Sequence, residues 1–474
     1  MANSQEKLKI HFIGIGGIGM SALARFYLSR HFLVSGSDLA GSEITEIIKK
    51  EGVKIIIGPH RSSNIAMDTN LVIYSAAVEN KNPELAEAKK RKIKCQTYAE
   101  ALGDLTKKYF TIAVSGTHGK STTTAMIALI LTKAGFDPTV IIGTKLREFG
   151  GSNFRLGKSK YLVIEADEYD ASFLNYWPKI IVLTNIEEDH LDYYRDISYI
   201  LATFKKYIGH LSKNGILITN KEDRNIQKII QNFYPERSRR AKFKIQNYNS
   251  ELKIDELNLK IPGQHNFLNA AAAITLARVL KISDRISVKA LNNFNGTWRR
   301  FEYKGKVNGA KVFDDYAHHP TEIRATLQAA RTLLPERARR ASRRLKVYPL
   351  TSSGYKQGRL WCIFQPHQYQ RTYKLFEQFV GAFDDADKTI LLPIFSVAGR
   401  EKESIKKKVS SKKLAAEIKK RNKKLKYKEK SVIYLDSFKK CAGHLKKNLK
   451  KGDVAVIMGA GDIYLLTQKL KIRN

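Results

Sequence analysis

Two glycine-rich turns, each placed between an apolar strand and a helix, constrain the fold of this chain more than any other feature. Residues 10–13 lead into Gly14-Ile15-Gly16-Gly17-Ile18-Gly19 and a predicted helix at 20–29. Residues 111–114 lead into Ser115-Gly116-Thr117-His118-Gly119-Lys120-Ser121 and a predicted helix at 122–131. A turn of this kind offers backbone N–H groups and the positive end of the helix dipole to an anion. The sequence therefore predicts two phosphate-binding sites on α/β domains with parallel sheets.

The first turn contains the pattern G-x-G-x-x-G, in which glycines allow the backbone to approach a pyrophosphate. Asp38 ends the next predicted strand, where an acid usually binds a ribose hydroxyl. Taken alone, this pattern is typical of an NAD-dependent dehydrogenase. Because any nucleotide diphosphate suits the turn, other nucleotide-binding classes stay open, as does a tight turn without a ligand.

The second turn is typical of a phosphate-binding loop. Backbone N–H groups would hold the phosphates, Lys120 would neutralise their charge, and the Ser121 hydroxyl would bind Mg²⁺. The loop departs from the full G-x-x-x-x-G-K-[ST] pattern, because Val114 occupies the first glycine position. Lysine at a helix start is otherwise unfavourable, so its presence after two glycines indicates a function.

Two clusters of acidic residues follow later predicted strands. Glu165-Ala166-Asp167-Glu168 comes after residues 161–164, and Glu187-Glu188-Asp189-His190 comes after residues 180–183. The carboxyl ends of parallel strands meet at one edge of a sheet, so both clusters are expected beside the phosphate loop. Oxygen ligands suit Mg²⁺. The spacing predicts a metal site without identifying which acid binds.

The length and pattern predict three α/β domains. Strands alternate with helices along 474 residues, of which 43% are hydrophobic, as expected for a folded protein. The alternation divides the chain into three blocks, with boundaries near residues 106 and 298. Further strands are expected near residues 71–74, 312–313, 360–364, 389–392 and 454–458.

The charge and cysteine content limit the partners and the compartment. The formal net charge is +39, which could indicate nucleic acid or an anionic surface. The lysine runs at 406–408, 419–424 and 446–451 lack interleaved aromatic residues that would stack bases, so solvated helix faces are the favoured interpretation. No apolar run is long enough to span a membrane, and no signal peptide is recognised. Three widely separated cysteines suit a reducing cytoplasm.

A basic heptad occurs twice, beginning at Pro235 and again at Pro335. A structural repeat should preserve an apolar period, and here only the basic heptad recurs. We interpret residues 235–241 and 335–357 as surface insertions. A nucleic-acid-binding arm is the alternative, and the sequence does not decide whether these insertions are ordered or functional.

The combination of two nucleotide turns with further motifs resembles the Mur ligase family of peptidoglycan synthesis over nearly the whole chain. The matching strings are HFIGIGGIGMSALA from His11, VSGSD from Val34, SGTHGKSTTT from Ser115, EADEYDASFL from Glu165, TNIEEDHLD from Thr184, PGQHNFLNAAAAI from Pro262, WRRFE from Trp298, DDYAHHPTEI from Asp314, FQPHQYQRT from Phe364 and GAGDI from Gly459.

The resemblance implies a cytoplasmic, ATP- and Mg²⁺-dependent enzyme that joins L-alanine to the lactyl carboxylate of UDP-N-acetylmuramate through an acyl phosphate. It implies a Rossmann-like UDP-sugar-binding domain at 1–106, a central phosphate-loop ATPase domain with a mainly parallel sheet at 107–297, and a Rossmann-like domain at 298–474 that helps to bind the amino acid. It implies UDP-sugar binding by Gly14, Gly16, Gly17, Ile18, Gly19, Met20, Ser37, Asp38 and Ser75. It implies ATP binding by Gly116, Thr117, His118, Gly119, Lys120, Ser121, Asn185, Asn269, Arg300 and Asp315. The implied metal ligands are Ser121, Glu165 and His190, and the implied catalytic or reacting-group residues are Lys120, Tyr316, His318 and Arg371. His318 would be the base, and Arg371 would pair with the carboxylate of the amino acid.

The chain departs from the family pattern at several positions: Ser121 replaces a threonine, Tyr169 a serine and Gln368 an arginine, and the segment 395–401 is altered. These departures bear on efficiency rather than class. The alternatives are a related ligase that attaches a tripeptide to the same UDP-sugar, the dehydrogenase, and a non-enzymatic nucleic-acid-binding protein. The sequence predicts neither the oligomeric state nor the choice among L-alanine, glycine and L-serine.

Overall fold

A computed structural model describes residues 8–233, 243–249, 254, 256–334, 358–397, 401, 403–427, 429–470 and 472. These residues form two compact units. The first contains the described residues up to Glu187 together with Ile197–Asn258 and Leu268–Asn293, and the second contains Glu188–Asp196, Leu259–Phe267 and the described residues from Phe294. The two basic insertions predicted at 235–241 and 335–357 lie outside the described residues.

The first unit begins with a five-stranded parallel sheet. Its strands are β1 (Lys9–Ile13), β2 (Leu33–Asp38), β3 (Lys54–Ile57), β4 (Leu71–Tyr74) and β5 (Lys94–Thr97), and its helices are α1 (Ile18–Ser29), α2 (Glu43–Lys50), α3 (Pro83–Lys90) and α4 (Tyr98–Lys108). The strand order is β3-β2-β1-β4-β5. The order reverses at β1, so the first glycine turn lies at the topological switch point, where α/β sheets bind ligands.

A second sheet in the same unit carries the phosphate loop. Its strands are β6 (Phe110–Ser115), β7 (Thr139–Leu146), β8 (Ser152–Arg155), β9 (Tyr161–Glu165), β10 (Ile180–Leu183), β11 (Ile216–Thr219) and β12 (Lys244–Asn247). The order is β12-β11-β10-β6-β9-β7-β8, and the pairing of β7 with β8 is antiparallel. The helices are α5 (Lys120–Lys133), α6 (Ile197–Ile208), α7 (Arg224–Ile230), α8 (Gln264–Val279) and α9 (Asp284–Leu291). The part of α8 before Leu268 is assigned to the second unit.

The central position of β6 places the loop between two neighbours that carry polar carboxyl ends. β6 pairs in parallel with β9 on one side and with β10 on the other. All four residues of β10 are buried. Burial on both faces requires a continuous apolar run, which explains why these strands were predictable from the sequence.

The second unit contains a six-stranded sheet. Its strands are β13 (Glu302–Val307), β14 (Ala310–Asp315), β15 (Leu360–Phe364), β16 (Lys388–Leu391), β17 (Ser431–Tyr434) and β18 (Val454–Met458). The order is β13-β14-β18-β15-β16-β17. The β13–β14 pair is antiparallel, and the other four neighbouring pairs in this order are parallel. The helices are α10 (Pro320–Arg331), α11 (Tyr369–Lys374), α12 (Phe376–Val380), α13 (Glu403–Lys406), α14 (Ser411–Lys424), α15 (Phe438–Asn448) and α16 (Leu465–Lys469).

Alternate residues along β15 of this sheet pack into two separate apolar cores. Cys362 and Phe364 of β15 belong to one cluster of buried side chains, whereas Trp361 and Ile363 belong to the other. Successive side chains of a strand point to opposite faces, so helices cover the sheet on both faces. This is the arrangement expected of a parallel sheet.

The predicted fold class is confirmed: the chain is an α/β protein with three mainly parallel sheets and a three-domain architecture. The predicted starts of two helices need correction. α1 begins at Ile18 and α5 at Lys120, each two residues before the predicted start, because Gly17 and Gly119 are the N-cap residues. Lys120 is therefore the first helical residue. None of the described helices combines the length and the apolar character that a membrane span requires.

A close backbone approach at Gly103 of α4 gives a stability prediction. A Cβ atom at this position would lie 2.4 Å from the Asn175 carbonyl oxygen. We expect Gly103→Ala to destabilise the protein by about 1–3 kcal/mol, because this overlap outweighs the roughly 1 kcal/mol gain in helix propensity.

Urea unfolding followed by circular dichroism measures this effect. Gly41→Ala is the matched control, because a Cβ there meets no atom within 4 Å. We expect the control to shift stability by less than about 0.5 kcal/mol. Equal unfolding midpoints for the two variants would contradict the packing account.

Candidate active site

The first glycine turn is fixed to the carboxyl end of β2. The N–H groups of Gly14 and Ile15 donate to the Ser37 carbonyl oxygen at 2.8 and 3.1 Å. The Gly16 N–H donates to Asp38 Oδ2 at 2.8 Å. Asp38 was predicted to bind a ribose, and in the structure one of its oxygens already stabilises the turn itself.

The other residues predicted for this site differ in their exposure. Gly17 is exposed and Ile18 and Gly19 are half-buried, whereas the Met20 side chain is buried in the core. Ser75 follows β4 and lies beside Gly14, where a Cβ would be 3.2 Å from the Ser75 Cβ. The residues that the sequence predicted for this site therefore lie in or around one turn.

Ser37 lies behind the turn. Its side chain is fully buried, and its hydroxyl donates to Glu84 Oε2 at 2.6 Å. The contact between Ser37 and the UDP-sugar that the resemblance implies stays a prediction. Ser37 supports the turn from behind through its carbonyl oxygen.

Lys120 is held inside the second glycine turn. Its Nζ donates to the carbonyl oxygens of Gly116 and Thr117 at 2.8 and 3.3 Å and to Glu168 Oε2 at 2.7 Å. Burial alone would lower the pKa of Lys120, but the carboxylates of Glu168 and Asp167 outweigh burial and raise it. The ammonium group therefore stays charged at the position predicted for phosphate binding.

The residues after β10 hold the phosphate loop in place. The Asn185 side chain accepts from the His118 N–H at 2.9 Å and donates to the His118 carbonyl oxygen at 3.0 Å. Thr184 Oγ1 donates to the same carbonyl oxygen at 2.6 Å. Asn185, predicted to bind ATP, thus also determines the loop conformation.

Asn269 lies against the other side of the loop. Its Oδ1 accepts from Thr123 Oγ1 at 3.2 Å. A Cβ at Gly119 would lie 2.5 Å from that same oxygen, and Gly119 has a φ of +83°. Only glycine combines this backbone conformation with such a close contact. Asn269 was predicted to face an adenine, and the structure places it beside the loop that is predicted to bind phosphate.

Two of the three predicted metal ligands are adjacent. Ser121 Oγ donates to Glu165 Oε1 at 2.9 Å, and the Gly143 N–H donates to Glu165 Oε2 at 2.9 Å. Burial raises the pKa of Glu165, although Lys120 lowers it. A hydroxyl and a buried carboxylate are the oxygen donors that Mg²⁺ prefers, so this pair fits the predicted cation. His190 belongs to the second unit, where its N–H donates to Asp189 Oδ1 at 2.6 Å.

Arg371 forms a buried ion pair within the second unit. Its Nε and Nη2 lie 2.9 and 2.8 Å from Asp189 Oδ1. Burial would raise the pKa of Asp189, but Arg371 outweighs this effect and holds the pKa well below its usual range. Arg371 is 5% exposed. Its pairing with an amino-acid carboxylate stays a prediction, and in this structure the guanidinium group is already bound to Asp189.

His318 is oriented through one ring nitrogen. Its Nδ1 lies 3.0 Å from the Tyr316 carbonyl oxygen and 3.2 Å from Glu322 Oε2. Two acceptors at Nδ1 favour a proton on that nitrogen, which leaves Nε2 as the ring nitrogen that can accept a proton. This arrangement suits a general base.

Asp315 is a buried acid that organises its surroundings. It accepts from the Phe301 N–H at 2.7 Å, the Ala317 N–H at 2.8 Å and Thr326 Oγ1 at 3.2 Å. Burial raises the pKa of Asp315, against the effect of Arg300. Arg300 lies with its guanidinium carbon 4.9 Å from the centre of the Tyr316 ring. The predicted residues Arg300, Asp315 and Tyr316 therefore form one group.

Sequence reasoning selected Arg300 but missed its neighbour Arg299. Arg299 is 2% exposed, its Nε donates to Asp314 Oδ2 at 3.2 Å, and its Nη1 donates to the Gly461 carbonyl oxygen at 3.1 Å. Burial raises the pKa of Asp314 to about 6. The adjacent arginines of WRRFE look alike in sequence, and only the fold shows which of them joins the GAGDI string.

The fold and the two nucleotide turns define an α/β ATP-dependent ligase, and the chain belongs to the Mur ligase family. The family's catalytic-domain model matches residues 9–110, its middle-domain model matches 114–277, and its glutamate ligase domain model matches 299–341 and 349–461. The predicted family is confirmed.

The chain is similar over nearly its whole length to ligases that are named for UDP-N-acetylmuramate and L-alanine. The UDP-N-acetylmuramate–L-alanine ligase of Clostridium kluyveri is 41% identical over 476 residues, which cover 96% of each chain. That of Acetivibrio thermocellus is 41% identical over 475 residues, which cover 96% of this chain and 94% of that one. The crystal structure of UDP-N-acetylmuramate-alanine ligase from Thermotoga maritima has a TM-score of 0.74 at 27% identity, with 98% of each chain covered.

The ammonium group of Lys120 gives the prediction for this site. We expect Lys120→Met to reduce ATP-dependent phosphate release by at least about a hundredfold, because it would remove the charge that is predicted to offset that of the transferred phosphate. Colorimetric phosphate detection measures this rate.

Lys133→Met is the matched control, since Lys133 is exposed at the far end of the same helix. We expect the control to keep the wild-type rate. A folded Lys120→Met protein with undiminished phosphate release would show that the loop lysine has no role in the reaction.

Proposed function

We propose that this chain joins the amino group of L-alanine to the lactyl carboxylate of UDP-N-acetylmuramate, at the expense of ATP, in peptidoglycan precursor synthesis. The observation that carries this proposal is the 41% identity to the Clostridium kluyveri UDP-N-acetylmuramate–L-alanine ligase over 96% of both chains. The loop that encloses Lys120 and the separate turn at Gly14 support it, because such an enzyme needs two nucleotide sites.

We assign the UDP-sugar to the first glycine turn and ATP to the second. The UDP diphosphate would lie at residues 14–19, with Asp38 and Ser75 at its edges and Ser37 in a supporting role. The remaining ATP contacts carry over from the resemblance as proposals. They are Thr117, His118, Asn185, Asn269, Arg300 and Asp315.

The first chemical step would be attack of the lactyl carboxylate on the γ-phosphate of ATP, which gives an acyl phosphate and ADP. Lys120 would offset negative charge that develops on the transferred phosphate. Mg²⁺ held by Ser121 and Glu165 would supply further positive charge there. His190 remains a metal ligand implied by the resemblance alone.

The second step would be attack of the neutral amine of L-alanine on the acyl carbon, with phosphate as the leaving group. His318 would accept the proton that the amine loses, because its Nδ1 is occupied by acceptors and its Nε2 carries the lone pair. Tyr316 and Arg371 would lie near the reacting groups. Exclusion of water matters, since an acyl phosphate hydrolyses readily when exposed.

The boundaries and the compartment complete the proposal. We place domain limits near residues 106 and 298, so that each sheet belongs to one domain. We place the enzyme in the cytoplasm, where three free cysteines remain reduced. The basic surface needs no nucleic-acid partner in this scheme.

Phosphate release with each substrate omitted in turn tests the function. We expect release from ATP only when UDP-N-acetylmuramate and L-alanine are both present, because the amine consumes the acyl phosphate. The tripeptide should not replace L-alanine. Equal or faster phosphate release with the tripeptide would favour the related tripeptide ligase. A change in NAD(P)H absorbance that depends on the protein would favour a dehydrogenase.

The proposed base gives a prediction for turnover. The amine of L-alanine must lose a proton to attack, and His318 would accept that proton. We expect His318→Ala to lower turnover by about a hundredfold and to change how turnover depends on pH. His210→Ala is a control outside the proposed site, where Nδ1 lies 2.9 Å from the Tyr176 carbonyl oxygen. An unchanged pH profile in His318→Ala would exclude the role.

A further inference from the structure

Glu84 is a buried acid outside every predicted site. It is the second residue of α3, which begins at Pro83 and is capped by the Asn82 side chain. Its side chain is fully buried. An isolated buried carboxylate is costly, so its retention requires specific partners.

Four side chains donate hydrogen bonds to the Glu84 carboxylate. Ser37 Oγ and His11 Nε2 lie 2.6 and 3.0 Å from Oε2, and His60 Nδ1 and Asn64 Nδ2 lie 2.8 and 2.6 Å from Oε1. An ionised carboxylate offers about four acceptor positions, and all of them are used here. Burial alone would raise the pKa of Glu84, but these hydrogen bonds lower it to about 2.

This cluster is connected to the first glycine turn by a single residue. Ser37 donates its hydroxyl to Glu84, while its carbonyl oxygen accepts the N–H groups of Gly14 and Ile15. The next residue, Asp38, accepts the Gly16 N–H. The conformation of the turn therefore depends on the placement of Ser37, and Glu84 holds its side chain.

The same carboxylate orients a half-exposed segment after β3. The His60 ring keeps 13% of its side-chain surface exposed, and its Nδ1 lies 3.3 Å from Ser37 Oγ. Asn64 belongs to a short 3-10 helix at Ser62–Asn64. Glu84 thus joins this segment to the carboxyl end of β2, at the edge where the turn lies.

We propose that Glu84 is a positioning residue for the nucleotide half of the UDP-sugar site: its carboxylate fixes Ser37, His60 and Asn64 around the first glycine turn. This inference rests on the proposed function, which assigns UDP to that turn. Glu84 itself does not touch the substrate. It acts through the residues that donate hydrogen bonds to its carboxylate.

Glu84→Gln tests the proposal with little change in volume. A glutamine amide has only one acceptor oxygen, and its NH₂ group would meet donors that now face a carboxylate. We expect the Kd for UDP, measured by titration calorimetry, to rise on the order of tenfold, the effect of losing orienting hydrogen bonds behind a binding group. The KM for UDP-N-acetylmuramate should rise in parallel, while the KM for ATP and kcat at saturation stay near wild type.

Glu87→Gln is the matched control, since Glu87 lies one turn further along the same helix. We expect it to bind UDP as the wild type does. A uniform loss of folded protein in Glu84→Gln would lower kcat with both KM values unchanged, which separates a purely structural role from positioning.

The outcomes distinguish the inference from the function on which it rests. If the wild type binds neither UDP nor UDP-N-acetylmuramate, the proposed function fails. If the wild type binds UDP and folded Glu84→Gln binds it equally well, the positioning role is wrong. If Glu84→Gln does not fold, Asn64→Ala decides, because it removes one donor at a half-exposed residue. Its UDP affinity should fall about threefold, and an unchanged affinity would overturn the inference.

Discussion

The largely buried charge of Lys120, whose side chain is 12% exposed, is the interaction on which the organisation of the central domain depends. An uncompensated buried ammonium group costs several kcal/mol, and here the Gly116 and Thr117 carbonyl oxygens and Glu168 offset that cost. This compensation requires the loop to curl around its own lysine and β9 to end beside β6. The Asn185 side chain then fixes the loop from the β10 side. A parallel sheet provides this arrangement, because it brings three strand ends to one edge.

The first glycine turn achieves its conformation by different means. It contains no lysine, and its N–H groups are fixed by a carbonyl oxygen of Ser37 and the carboxylate of Asp38. Glu84 lies behind these residues, and its carboxylate accepts hydrogen bonds from surrounding side chains. One site therefore uses a buried cation and the other a buried anion. Each charge is offset by local hydrogen bonds, so each turn keeps its shape without its ligand.

The sequence predicted those parts of the fold that depend on local pattern. Fully buried strands such as β10 show as apolar runs, and glycine turns show as motifs. Short or polar strands such as β5 and β8 were missed, because edge and half-exposed strands tolerate lysine, serine and arginine. Within the site, the motifs located Lys120, but Glu84 carries no local signal. Its partners are separated from it by 20–73 residues, so only the fold could reveal them.

The central claim is that one chain binds two unlike nucleotides at two separate turns. Titration calorimetry of UDP-N-acetylmuramate, in wild-type protein saturated with a non-hydrolysable ATP analogue, tests it most directly. The account predicts uptake of one UDP-sugar per chain while the analogue remains bound. Absence of uptake, or displacement of the analogue by the UDP-sugar, would contradict it.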